Sequence, residues 1–148
     1  MIMLNKFMNI AINEAFKVKK DIPIAALIVK NDKIISIATN KREKNNQTIA
    51  HAEIMAINDA NQKLNSWRLD KCDIFITLEP CPMCAWAIIN ARFKNVYFGS
   101  YDTKYGALGS AINLAKLANS KINIKGGILE AECNNLLKNY FEKLRNEK

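Results

Sequence analysis

Residues 80–84 read PCPMC, and the setting of this pentapeptide decides the fold around it. Cys81 and Cys84 lie three residues apart, with Pro80 ahead of the first and Pro82 between them. The stretch before, DIFITL (73–78), is apolar and β-branched and predicts a strand. The stretch after, CPMCAWAIINARF (81–93), predicts a helix. A cysteine pair where a strand gives way to a helix has three readings. It can be a redox dithiol, whose first thiol the helix N-terminus acidifies. It can be half of a structural zinc site, which needs four protein ligands. It can be half of a catalytic metal site, with three protein ligands, an open position and a proton-handling group beside it. The remaining cysteines, Cys72 and Cys133, have no second cysteine or histidine close by in sequence.

Outward from this point, helical and extended stretches alternate. Leu4, Phe7, Met8, Ala11, Ile12 and Ala15 are spaced for an amphipathic helix over Met3 to Lys17. IPIAALIVK (22–30) and KIISIAT (33–39) predict two strands joined by Asn31-Asp32, hence an antiparallel hairpin. NKREKNNQT (40–48) is polar and reads as a loop. AHAEIMAINDANQKL (50–64) predicts a helix, NVYFG (95–99) a strand and YDTKYGALGS (101–110) a loop. INLAKLA (112–118) predicts a short helix, KINIK (121–125) a strand, and residues 128–146 a closing helix. There are no repeats and no low-complexity linkers. The pattern predicts an α/β layered domain whose first two strands are antiparallel.

The 148 residues predict one domain spanning 1–148, long enough to bury roughly 68–70% of the unfolded surface without staples. At 49% hydrophobic and 24% charged residues, the composition is that of an ordinary globular protein. No apolar run approaches the roughly 18 residues of a membrane span. Asn5, Lys6, Asn9, Asn13 and Glu14 interrupt the first helix, so no signal peptide is expected and a cytoplasmic location is. In that setting disulfides are not expected, and metal or catalytic use of cysteine gains weight. The net charge of +8 suggests an anionic partner, nucleic acid first, although the lysines are scattered.

The single histidine, His51, opens a predicted helix just as the cysteine pair opens another, and Glu53 follows two residues later. Helix starts side by side at a sheet edge are where α/β sites form. One histidine, two thiolates and an unligated carboxylate make a catalytic zinc site with its general acid/base. HAE (51–53) and PCPMC, with 26 residues between Glu53 and Pro80, fit H-x-E…P-C-x-x-C, the signature of zinc-dependent nucleobase deaminases. A structural site needs no carboxylate beside the metal, and a redox dithiol leaves HAE without a purpose.

The sequence resembles the cytidine-deaminase-like superfamily and, within it, the bacterial tRNA-specific adenosine deaminases. The resemblance runs through IPIAALIV, Asn40, AHAEIMAI, TLEPCPMCAWAI, VYFG, DTKYGALGS, GGILEAEC and LLKNYFEKLR. The zinc motifs are shared with deaminases of free bases; the segment Asp102 to Ser110 points to the tRNA enzymes. The resemblance implies a three-layer α/β/α sandwich around a five-stranded mixed sheet. It implies zinc held by His51, Cys81 and Cys84, Glu53 as the proton carrier, and a homodimer. The substrate implied is the wobble adenosine of a tRNA anticodon loop, converted to inosine. By the same resemblance Asn40 and Asp102 are substrate contacts. Lys104, with Lys41, Arg42 and Lys44, is a candidate for phosphate contact. Three positions depart from the family pattern: Ala25 for glycine, Trp86 for a small residue, and Asn119-Ser120 for Asn-His. The alternative is a deaminase of a free base such as guanine or cytosine, which would need neither the basic surface nor DTKYGALGS.

Overall fold

The computed structural model describes residues 2–147. The elements run α1 (Ile2–Phe16), β1 (Ala25–Lys30), β2 (Lys33–Thr39), α2 (Arg42–Asn45), α3 (Ala52–Leu64), β3 (Cys72–Leu78), α4 (Pro82–Ala91), β4 (Asn95–Ser100), α5 (Leu114–Leu117), β5 (Asn123–Lys125) and α6 (Glu130–Asn146). The strands form one sheet in the order β2-β1-β3-β4-β5. β1 is antiparallel to both β2 and β3, while β3, β4 and β5 run parallel. The sheet is therefore mixed and five-stranded, as expected.

Alternation along the strands sorts their side chains onto two faces. Ala26, Ile28, Ile74, Ile76, Val96 and Phe98 face one core with Ala52, Ala56 and Ala60 of α3 and Ala85 and Ile88 of α4. Ala25, Leu27, Val29 and Phe75 face the other, with Phe7, Met8, Ala11 and Ala15 of α1 and Cys133 of α6. Helices thus cover both faces, giving three layers. The five alanines of α1 and α3 nearest the sheet let these helices lie close on it.

The β1–β2 hairpin turns at Asn31 and Asp32, with φ of 51° and 61°. Two successive positive φ values are what a two-residue type I′ turn needs, and Asn and Asp tolerate them. β1 begins at Ala25, three residues later than the apolar run suggests. Pro23 has no N–H to give a ladder, and the Ile24 N–H turns back to the Ile22 carbonyl at 2.8 Å. The polar stretch 40–48, expected as a loop, contains the one-turn helix α2. Asp21 makes it: its carboxylate accepts the Glu43 N–H at 2.7 Å and the Lys44 N–H at 3.2 Å from about twenty residues back. No local pattern could announce a cap supplied from that far away. All four cysteines are free thiols.

β4 and α6 meet at Gly99, where a methyl group would stand 2.2 Å from Cys133 Sγ and 3.0 Å from the Thr77 carbonyl oxygen. Gly99→Ala should therefore cost about 1–3 kcal/mol through overpacking. Thermal unfolding checks this: Tm should fall by several degrees.

Candidate active site

Two helices begin beside each other at the end of the sheet where β3 finishes. His51 is the N-cap residue of α3 and Cys81 that of α4. Neither side chain caps its own helix, so both project away from the backbone toward one point. Pro82 at the first position of α4 costs no hydrogen bond there and presets its φ. Cys84 follows one turn later and is fully buried.

His51 Nδ1 lies 3.5 Å from Cys84 Sγ and 3.7 Å from Cys81 Sγ. The three ligand atoms all fall within 4.8 Å of one another. Tetrahedral zinc, with Zn–S about 2.3 Å and Zn–N about 2.0–2.1 Å, requires an N···S edge of about 3.6 Å. The donors and their spacing fit such an ion. The thiols influence each other strongly. Hydrogen bonding from Cys84, helped by His51, holds the Cys81 thiol down to about 4. Cys84, donating to that thiolate and buried, is pushed up. His51 is raised chiefly by its contact with Cys81. A thiolate at a helix N-terminus is the ligand form zinc requires.

Glu53 is on the first turn of α3, only 4% exposed, and outside the three-ligand cluster. Burial pushes its carboxyl up to about 7. It shares with His51 and Cys81 the wall of a cleft of about 630 Å³. Asn40 and Asp102 line the same cleft. Asn40 Oδ1 accepts the Ala52 N–H at 2.8 Å and so fixes the start of α3. Asp102 Oδ1 accepts the N–H groups of Lys104 and Tyr105, both at 3.0 Å, and folds its own loop. Lys104 is exposed outside the cleft wall, its ammonium 5.2 Å from the centre of the Tyr105 ring.

Two features escaped the sequence reading. The first is Glu79, 2% exposed, between β3 and Pro80. Its carboxylate accepts the N–H groups of Asp102 (3.2 Å), Leu108 (3.1 Å) and Ser110 (3.1 Å), and the Ser110 hydroxyl. Gly106 packs so closely that a Cβ there would stand 2.4 Å from the carboxyl carbon. One residue thus ties DTKYGALGS to the strand end that carries Cys81. The second is α6, whose Tyr140, Phe141 and Leu144 form the cleft's far wall with Tyr105. A helix that starts 46 residues after Cys84 and 77 after Glu53 gives no sequence signal of facing the site. The departures from the family pattern lie elsewhere. Ala25 is buried in β1, Trp86 is 44% exposed on α4, and Asn119, with φ of 51°, makes the turn after α5.

The MafB19-like deaminase family model matches residues 3–145. The chain belongs to this deaminase family, in keeping with a three-ligand site beside a non-ligand carboxylate. Within it, the chain is 41% identical to the tRNA-specific adenosine deaminase of Bacillus subtilis over 96% of its own length and 91% of that protein's. A solved structure from work on A-to-I editing by tRNA:A34 deaminases at the wobble position of transfer RNA superposes with a TM-score of 0.86. It shares 34% identity and covers 89% of this chain and 99% of its own. The guanine deaminase of Bacillus subtilis, 33% identical, superposes with a TM-score of 0.63 over 78% of this chain and 69% of that one.

Glu79→Ala should strand several buried donors, each costing about 1–3 kcal/mol, for a loss of roughly 3 kcal/mol or more. Thermal unfolding should show Tm lower by about 6 °C or more, and the 101–110 segment should become the first to be cut in limited proteolysis.

Proposed function

We propose that the chain is a zinc-dependent hydrolytic deaminase that converts the wobble adenosine of a tRNA anticodon loop to inosine, acting as a cytoplasmic homodimer. The observation that carries the chemistry is the convergence of His51, Cys81 and Cys84 with Glu53 buried beside them and not among them. The likeness to tRNA-specific adenosine deaminases over nearly the whole chain supports the substrate. Among the described residues no helix is long and apolar enough to cross a membrane.

His51, Cys81 and Cys84 would hold the zinc. When bound, zinc supplies a Lewis acid that lowers the pKa of a water in its open position toward ~7. Every proton movement is assigned to Glu53. Its carboxylate takes the proton of the attacking water, delivers it to N1 of adenine, and returns one to the departing ammonia as oxygen replaces nitrogen at C6. Burial suits Glu53 to this, because bulk water does not compete for its proton. Asn40 uses its Oδ1 on Ala52 and has its Nδ2 left for the nucleotide. Tyr105, Tyr140 and Phe141 offer aromatic faces in the cleft, on which an unstacked base can rest. Asp102, at the cleft wall, contacts the same nucleotide. Lys104 and Arg42, with Lys41, meet phosphate at the mouth. For the dimer contact a groove beside α3 is available, where Ile49, Ile54, Ile57 and Ala87 lie among polar residues such as Asn58 and Asp59.

Purified protein should carry about one zinc per chain by elemental analysis, and a fully active metal-free preparation would contradict the proposal. Glu53→Gln should keep the zinc and lose at least ~10²–10⁴-fold in kcat. Loss of the metal instead would make Glu53 a ligand. On an anticodon stem-loop, KM should rise with salt, by roughly 0.7 log units per phosphate contact per decade. Salt-insensitive turnover of guanine or cytosine, with no inosine formed in the stem-loop, would point to the free-base reading.

A further inference from the structure

A second groove, of about 380 Å³, adjoins the cleft. It lies between the end of α1, the turn that follows it, the end of β2 and the start of α2. Asp21 and Asn40 line both. Five lysines line the groove: Lys17, Lys19, Lys20, Lys41 and Lys44. Only two acids join them, Glu14 and Asp21. Glu14 is spent on Lys17, at 3.1 Å. Asp21 is 4% exposed, and both its oxygens accept N–H groups of α2. Lys41 donates to Thr39 Oγ1 at 3.3 Å. Among the described residues, Lys19, Lys20 and Lys44 have no side-chain partner.

We infer that this groove carries the phosphodiester backbone of the RNA strand flanking the reacting nucleotide, with Lys19, Lys20 and Lys44 as its contacts. The inference rests on the tRNA reading above. Three features support it beyond the bare charge. The groove and the cleft share Asp21 and Asn40 as lining, so a strand whose base enters the cleft has its next phosphates near the groove. The same aspartate that builds α2 places Lys44 beside Lys19 and Lys20, which otherwise lie more than twenty residues away. Its own charge stays buried. Lysine ammonium groups are point charges without a planar fork, suited to holding phosphate in register rather than reading bases. A neutral free base has no group that would reach this groove.

The test compares the whole wild-type protein with two triple variants on an anticodon stem-loop across a salt series. Lys19→Ala/Lys20→Ala/Lys44→Ala removes the proposed contacts. Lys30→Ala/Lys33→Ala/Lys71→Ala removes the same charge at the opposite end of β1, where Lys30 pairs with Lys33 and with Cys72. The groove variant should raise KM about tenfold or more in about 0.1 M salt. It should also flatten the dependence of log KM on log salt by about 2, roughly 0.7 per contact, with zinc content and kcat kept. The distal variant should match wild type, and Lys→Arg at the three groove positions should restore both KM and slope. A groove variant with unchanged KM and slope would overturn the inference while the tRNA reading stands. So would equal effects from the two variants, which would make the effect one of bulk charge. Failure of the wild-type protein to form inosine in the stem-loop would overturn both.

Discussion

A three-ligand metal centre can exist here only if two helix starts are held a few ångströms apart, and the hydrogen bond from the Ala52 N–H to Asn40 Oδ1 is central to that. α3 and α4 come from different parts of the chain, and α3 packs on β1 and β2. Left to packing alone, each could slide along the sheet by a fraction of a turn, and a fraction of a turn would take His51 Nδ1 out of range of both sulfurs. Asn40, at the end of β2, pins the first turn of α3 to the sheet. The Glu79-Pro80 segment, at the end of β3, does the same for α4. Site precision therefore comes from residues anchored at strand ends, which hold position better than loops do.

Glu79 extends the same logic to the substrate side. A loop of ten residues with two glycines would ordinarily sample many conformations, with Asp102 and Tyr105 sampling them too. Drawing three N–H groups and a hydroxyl onto one buried carboxylate removes that freedom. The absence of a side chain at Gly106 is what lets the loop come so near. Cys81 and the loop are then rigidly related through two peptide units. Geometry for the chemistry and geometry for recognition cannot drift apart.

What could be read from the sequence divides along the same line. The strands, the long helices and the hairpin follow from local pattern. Period-2 and period-3.6 alternation reports which face meets a core, and Asn31-Asp32 reports its turn directly. The cluster of His51, Cys81 and Cys84 was legible because rare residue types stand at fixed short spacings at two helix starts. The rest depended on partners distant in sequence. α2 exists because Asp21 caps it. Glu79 looks like any charged residue before a proline until the loop it holds, 23 to 31 residues later, is in view. The aromatic wall from α6 is invisible for the same reason, since amphipathic spacing says that Tyr140 and Phe141 share a region of surface without saying what they face.

The charge of +8, uninformative as a sum, gains meaning from where neutralisation fails. Among the described residues only three ion pairs form, each between partners close in sequence. Most of the lysines are thus free to act at a distance, and a scattered surface would make their field diffuse. Beside α2 five lysines gather in one groove, and the two acids that line it are engaged, Asp21 by backbone N–H groups and Glu14 by Lys17. The cleft next to it is built on the opposite plan. Glu53 is buried in it, part of its wall is aromatic, and His51 and Cys81 stand at helix starts on its floor. A substrate suited to both must be neutral and flat at one end and strongly anionic at the other. A nucleotide within a chain meets that description, and a free base meets only the first half.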